Sequence, residues 1–191
     1  MHASMPPRAA LALALTLLSR AAAQLSVAGT VTSHTQLDGP WGITVSGSYV
    51  YAALYDSHGL AIVDVSSSSS PSIAGVFLNV TFLLRAMYVA LNADATFAYV
   101  TADTFFTVID VSTKSSPTFA GVYYHAYLND ARQLAVSTTN PNHVFVVSYW
   151  SDSLFCIDVS NPGDPTLVSY FRDTVALNRP WGIALTSALA Y

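Results

Sequence analysis

Three arginines, Arg85, Arg132 and Arg179, recur along a chain that carries little other positive charge, and the last two lie close to aspartate or tryptophan. Asp130 stands two residues before Arg132, Trp181 two after Arg179, and Asp38 and Trp41 form a similar cluster nearer the start. His58 lies in the Gly-containing turn Asp56-Ser57-His58-Gly59, and Asn129, Asp103 and Asp152 occupy neighbouring loop positions. A guanidinium donates hydrogen bonds in a fixed fork, so an arginine and aspartate ring of this kind can grip a carboxylate, a sulfated glycan or a loop of a partner protein. The alternative is that these side chains pair with one another and solvate a rim.

Motifs for catalysis are missing. The sequence contains no Gly-x-Ser-x-Gly turn, no Gly-rich phosphate loop and no His-Glu-x-x-His, and the last is impossible because all eleven acidic residues are Asp. His34, His125 and His143 fall away from the arginine cluster, and His58 has no recognisable nucleophile or metal partner. Asn92-Ala93-Asp94-Ala95-Thr96 has the alternating oxygens of part of a calcium loop but lacks its Gly and terminal Glu, so it reads as a turn. No metal, cofactor or catalytic residue is therefore expected. Asn79-Val80-Thr81 is a valid acceptor sequence for N-glycosylation in a source that glycosylates.

The elements that position these residues come from a repeat. Ile62-Val63-Asp64-Val65-Ser66 recurs as Val108-Ile109-Asp110-Val111-Ser112 and Cys156-Ile157-Asp158-Val159-Ser160, with the aspartates 46 and then 48 positions apart. Pro71, Pro117 and Pro165 follow at a fixed offset, and each begins another short apolar run. Each unit reads as four strands, A to D; the first has A over 41–45, B over 49–54, C over 60–65 and D over 73–77. Apolar residues run almost continuously through them, as expected of a sheet buried on both faces. Asp64, Asp110 and Asp158 suit a structural turn, accepting bonds from the next backbone amides before the proline fixes φ. Cys156, taken as the counterpart of Val63 and Ile109, reads as a small buried hydrophobe.

Units of this length with several short strands indicate a β-propeller. The stretches IVDVSSSSSPSIAGV, VIDVSTKSSPTFAGV and CIDVSNPGDPTLVSY resemble the repeats of the LVIVD-repeat proteins, the third keeping the full Ser-Asn-Pro-x-x-Pro form and the first two carrying Ser67 and Thr113 in place of Asn. The resemblance covers nearly all of the chain after its first residues. It implies a propeller in secreted or cell-surface proteins and brings no catalytic residues with it.

The first 23 residues read as a signal peptide: Arg8, an apolar run from Ala9 to Leu18, and small residues at 21–23. The run is too short to span a bilayer, and no later stretch reaches the roughly 20 apolar residues of a membrane helix. The expected product, residues 24–191, is a secreted protein with five of the seven cations against eleven Asp. That balance repels phosphate backbones and argues against a nucleic-acid partner.

The fold expected is all-β, a propeller of four-stranded antiparallel blades at about 40–77, 86–124 and 131–171, with a partial blade over 180–191 and an outer strand over 25–33. Asn178-Arg179-Pro180-Trp181-Gly182-Ile183 echoes Asp38-Gly39-Pro40-Trp41-Gly42-Ile43, so a fourth unit begins but does not finish. The ring is incomplete, which fits a truncated gene model, self-association through open blade edges, or a compact closure missing one strand. The function expected is a non-enzymatic extracellular module that binds protein or glycan on the D-to-A and B-to-C loop face. A fragment of a hydrolase or lyase whose catalytic residues lie in absent blades, and a structural matrix protein, are the alternatives.

Overall fold

A computed structural model describes residues 27–186, and the expected signal peptide lies outside them. The described residues contain twelve strands and no helix, arranged as three separate four-stranded antiparallel sheets. The first sheet is β1 (Pro40–Ser46), β2 (Tyr49–Leu54), β3 (Gly59–Asp64) and β4 (Ser72–Leu78). The second is β5 (Ala86–Leu91), β6 (Phe97–Ala102), β7 (Phe105–Asp110) and β8 (Thr118–Tyr124). The third is β9 (Ala131–Val136), β10 (His143–Ser148), β11 (Ser153–Asp158) and β12 (Thr166–Arg172). Strands follow one another in sequence order across every sheet, so each blade is a meander that needs only short turns.

The core lies between blades. Tyr51, Ala53, Leu60 and Ile62 of the first sheet pack on Val89, Val100 and Ile109 of the second; Tyr99, Phe106 and Val108 of the second pack on Leu134, Val146 and Ile157 of the third. Alternate residues of one strand thus face opposite neighbours, which is why the sequence shows unbroken apolar runs. The ladders also correct one alignment: Ile62 faces Gly75, Val108 faces Gly121 and Cys156 faces Ser169, so Cys156 is the counterpart of Ile62 and Val108, not of Val63 and Ile109.

The repeat turns follow one plan. The amides of Ser66, Ser112 and Ser160 donate to Oδ1 of Asp64, Asp110 and Asp158 at 2.8, 2.8 and 2.7 Å. Each turn then receives a glycine from the preceding blade. A Cβ added to Gly75 would lie 2.2 Å from Lys114 O and 3.0 Å from Pro117 Cδ, and one on Gly121 would lie 2.3 Å from Pro162 O. Only a residue without Cβ allows this approach of backbone to backbone.

The expected outer strand over 25–33 is not a strand: residues 27–33 join no sheet, and 25 and 26 lie outside the described residues. They nevertheless occupy the place of one. A Cβ on Gly29 would lie 2.4 Å from Ser68 O and 2.8 Å from Pro71 Cδ, the contact that Gly75 and Gly121 make one blade further on. Among the described residues no strand C stands beside this segment to complete a ladder, so it packs without pairing. The partial fourth blade behaves alike: residues 181–184 are irregular, Leu185 makes a single bridge, and 187–191 lie outside the described residues.

The arrangement is therefore open, and burial records it. Ile43, Val89, Leu134 and Ile183 hold the same A-strand position facing the preceding blade, yet Val89, Leu134 and Ile183 are 0, 2 and 7 % exposed while Ile43 is 59 % exposed. Every residue of β12 is likewise exposed, where β8 is partly covered by the Pro162–Gly163 turn.

Candidate functional site

The loops between blades are built from one capped turn used four times. Oxygens of Ser33, Asn79 and Asp173 and Nδ1 of His125 each accept a bond from a backbone amide two residues on. Four residues on, or three after His125, a leucine amide closes the turn: Leu37 N to Ser33 O at 3.1 Å, Leu83 N to Asn79 O at 2.8 Å, Leu128 N to His125 O at 2.8 Å and Leu177 N to Asp173 O at 2.9 Å. Leu83 and Leu128 are fully buried plugs between blades. The sequon residue Asn79 belongs to this series, with its Oδ1 engaged by the amides of Thr81 and Phe82.

Just beyond each leucine the chain turns through the left-handed region. Gly39, Arg85, Asp130 and Arg179 have φ of 62, 55, 60 and 51°, and the B-to-C turns answer with His58, Asp103 and Asp152 at 55, 33 and 50°. Left-handed backbone is uncommon outside glycine, and here it repeats at one place in every unit. The reason is a shared set of bonds. Asp152 Oδ1 accepts from Arg179 N at 2.8 Å, His58 Nδ1 from Arg85 N at 3.1 Å, and Asp103 O from Ala131 N at 2.9 Å. Each B-to-C turn thereby holds the start of the next A strand. Accepting from Arg85 requires the His58 proton on Nε2; Tyr55 O lies 2.9 Å from the same Nδ1 and is served only by the other tautomer.

A bulge follows at once. Pro40 pairs Leu54 but Gly42 pairs Ala53, Ala86 pairs Ala102 but Tyr88 pairs Thr101, and Ala131 pairs Ser148 before Leu134 pairs Val146. Trp41, Met87 and Arg132 sit on these bulges, which re-aim a side chain out of the pleat. Trp41, Met87 and Arg132, with Tyr55, Arg85, Asp103, Asn129, Asp130 and Trp150, line a depression of about 310 Å3.

Arg132 is the best-held of these groups. Its Nη2 donates to Asp130 Oδ2 at 2.6 Å, and its Cζ lies 4.1 Å from the Trp181 ring centre and 4.9 Å from that of Tyr149. Gln133 fixes the indole side of this stack: its Oε1 accepts from Ile183 N at 3.1 Å while its Nε2 donates to Tyr88 OH at 3.1 Å. Arg179 stacks over Trp150 at 5.1 Å, and Tyr149 meets Trp150 edge-on at 4.7 Å. Arg85 has no carboxylate partner among the described residues and is exposed at the edge of the depression.

Of the residues singled out in the sequence, Trp41, Arg85, Asp130 and Arg132 meet at one depression, and Arg179 and Trp181 join it through the aromatic cluster. His58 supports Arg85 from behind, and Asp38 takes a separate place, its amide donating to Ser57 Oγ at 3.2 Å. Asn92 and Asp94 use their Oδ1 atoms on the amide of Thr96, inside their own turn and away from the depression. Tyr55, Met87, Gln133, Tyr149 and Trp150 were not anticipated; aromatic residues ending the B strands after Leu54 and Ser148 are the signal that would have found three of them.

The LVIVD repeat pattern matches residues 40–79, 86–124 and 130–173, one repeat for each sheet and its flanking loops. The chain belongs to the LVIVD repeat family. No curated protein matches it. A functionally unknown protein from Desulfotomaculum acetoxidans is 17 % identical with a TM-score of 0.58, over 78 % of this chain and 45 % of that one. The periplasmic gluconolactonase PpgL of Pseudomonas aeruginosa is 15 % identical at TM-score 0.57, over 73 and 44 %. The Cps50 (Swd1) β-propeller domain from Myceliophteria thermophila is 14 % identical at 0.56, over 70 and 43 %. The LVIVD chain thus spans under half the length of each, and the likeness is one of fold. Among its described residues no helix is long and apolar enough to cross a membrane.

Proposed function

We propose that this LVIVD-repeat chain is a secreted, non-enzymatic binding module that takes an extracellular protein or glycan on the face lined by Arg85, Arg132 and Arg179. The observation that carries the reading is the meeting of Trp41, Arg85, Arg132 and Trp150 at one depression, on loops that a repeated hydrogen-bond plan holds rigid. Loops fixed by a stiff scaffold are the usual carriers of binding groups, and a concave site is where such groups converge on a ligand. A bulge at the same place in three blades aims three unlike side chains at one space, which packing alone does not require.

The test is a screen of immobilised chain against extracellular proteins and glycans, repeated with the Arg85→Ala, Arg132→Ala, Arg179→Ala triple variant. The variant's fold is checked by circular dichroism and melting. A folded triple variant that keeps full affinity for the ligand found would sink the reading.

A further inference from the structure

Resting on that reading, we propose that the ligand of this face is a short acidic oligosaccharide, held by a uronic-acid carboxylate on Arg85 and by sugar rings on Trp41 and Trp150. Of the four charged side chains that line the depression, Asp130 and Arg132 are spent on each other. Asp130 neutralises Arg132 at 2.6 Å, and Arg179, which does not itself line the depression, lies over the rings of Trp150 and Tyr149. Arg85 alone among the lining guanidinium groups has neither a carboxylate nor a ring against it among the described residues. Its backbone is pinned by the bond to His58 Nδ1, so the exposed fork starts from a fixed point at the mouth. A planar fork with all donors free matches a planar carboxylate in two parallel bonds.

The remaining wall selects the rest of the ligand. Trp41 and Trp150 are each more than half exposed, so each indole keeps open ring surface even with Tyr55 5.0 Å from the Trp41 ring and Arg179 over that of Trp150. Such faces suit the apolar C–H side of a pyranose ring, whose hydroxyl edge needs acceptors and donors beside it. The side chains of Asp103 and Asn129 line the same depression and make no hydrogen bond among the described residues. They supply acceptor oxygens and an amide for hydroxyls. At about 310 Å3 the space lies at the lower end of small-molecule sites, roughly 300–1,000 Å3, which limits the ligand to a few sugar units. The chain's excess of Asp over cations opposes densely charged polyanions, so a few carboxylates suit it better than a run of sulfates. An acidic peptide would satisfy Arg85 but leave the indole planes and Asp103 without matching chemistry.

Calorimetry at low ionic strength on the intact chain decides the matter, with trigalacturonate, its methyl ester and a short acidic peptide as probes. Trigalacturonate is expected to bind and its ester to bind at least about tenfold more weakly, the loss of a charge-assisted pair of bonds. Arg85→Ala should reduce trigalacturonate binding to about the level of the ester and weaken ester binding far less. Arg85→Lys should fall between, and Trp150→Ala should weaken both saccharides. Equal affinity for acid and ester overturns the carboxylate assignment, and binding of the peptide without the saccharides overturns the ligand class; either leaves the binding face itself standing. Binding of none of the three overturns this proposal, while the wider reading is judged separately by the screen and its triple variant.

Discussion

Arg179 and Asp152 are joined across the gap between two units by a 2.8 Å bond from the Arg179 amide to Oδ1 of Asp152, and Arg85 and His58 repeat the bond with an imidazole at 3.1 Å. The same backbone need is met by two different side chains, because either presents one acceptor at the right depth above a left-handed turn. Asp152→Ala leaves the Arg179 amide without this acceptor and should cost about 1 kcal/mol of stability. His58→Asp should be tolerated, since it installs the side chain that already works at the same position of the third unit, whereas His58→Ala should not. Urea midpoints of the three variants check this, and a His58→Ala protein as stable as the parent would remove the latch from the account.

The pair Asp130 and Arg132 makes a sharper test, because both side chains are largely buried. Removing one member leaves the other charged, desolvated and without its partner. Asp130→Asn and Arg132→Met should each cost about 2 kcal/mol. The double variant should cost clearly less than the two single costs together, because no charge is then stranded. Tryptophan fluorescence should shift with Arg132→Met, since the guanidinium lies 4.1 Å from the Trp181 ring centre. Additive losses would show that the two side chains contribute independently.

Much of the scaffold was legible because strand limits are written locally. Turn residues such as Ser46-Gly47-Ser48 bound each apolar run, and the strand B expected over 49–54 is β2 (Tyr49–Leu54). The site was legible only as a list of loop charges. A bulge adds one residue without disturbing the apolar pattern on either side, so nothing marks Trp41, Met87 and Arg132 as equivalent until the ladder registers are known. Tyr149 and Trp150 look like the apolar end of a strand, and their role depends on Arg132 and Arg179, which reach them from other loops. The segment at 27–33 was misread for a related reason: its Ala28-Gly29 pair fits the repeat and packs as the repeat does, but a strand needs a partner that sequence similarity cannot supply.

Acid should reveal the repeat turns. The Ser112 hydroxyl and amide hold the Asp110 carboxyl below its ordinary value, and the Ser66 and Ser160 bonds do the same for Asp64 and Asp158. A carboxyl depressed on folding contributes stability above its unfolded pKa and loses it as pH falls through the folded one. Asp110→Ala should therefore melt lower than the parent at neutral pH, and the gap should close as pH falls below the normal carboxylate range. Melting curves from neutral pH down to about pH 2 test this, and a gap that stays constant in acid would assign the loss to packing instead.

Cys156 offers a probe of the blade interior. It is buried beside β12, and burial first, then the Asp158 charge, pushes its thiol above the usual range. Only thiolate reacts quickly, so the native chain should resist a disulfide reagent in mildly alkaline buffer and react fully once unfolded in guanidinium. Fast labelling of the folded protein would mean that the third sheet opens far more readily than its packing implies.

The glycine contacts give a prediction about how blades stack, with a control built into the same turns. Gly75 brings its Cα against Lys114 O, where an added Cβ would sit at 2.2 Å, and the atom it meets is backbone in a turn already tied by Asp110 and Ser112. Neither side can yield without lifting one blade from the next. Gly163 lies in the corresponding turn of the third blade, but a Cβ there would meet nothing closer than Asn161 Oδ1 at 3.5 Å, ordinary contact. Gly75→Ala should thus destabilise by about 2 kcal/mol or more, in the range of overpacked cores, while Gly163→Ala should stay within about 0.5 kcal/mol of the parent. Equilibrium unfolding of both variants measures the difference, and because both replace Gly by Ala, the effect on the unfolded chain cancels to first order. Equal stabilities would mean that the Ala-Gly pair is not what seats one LVIVD blade on the next.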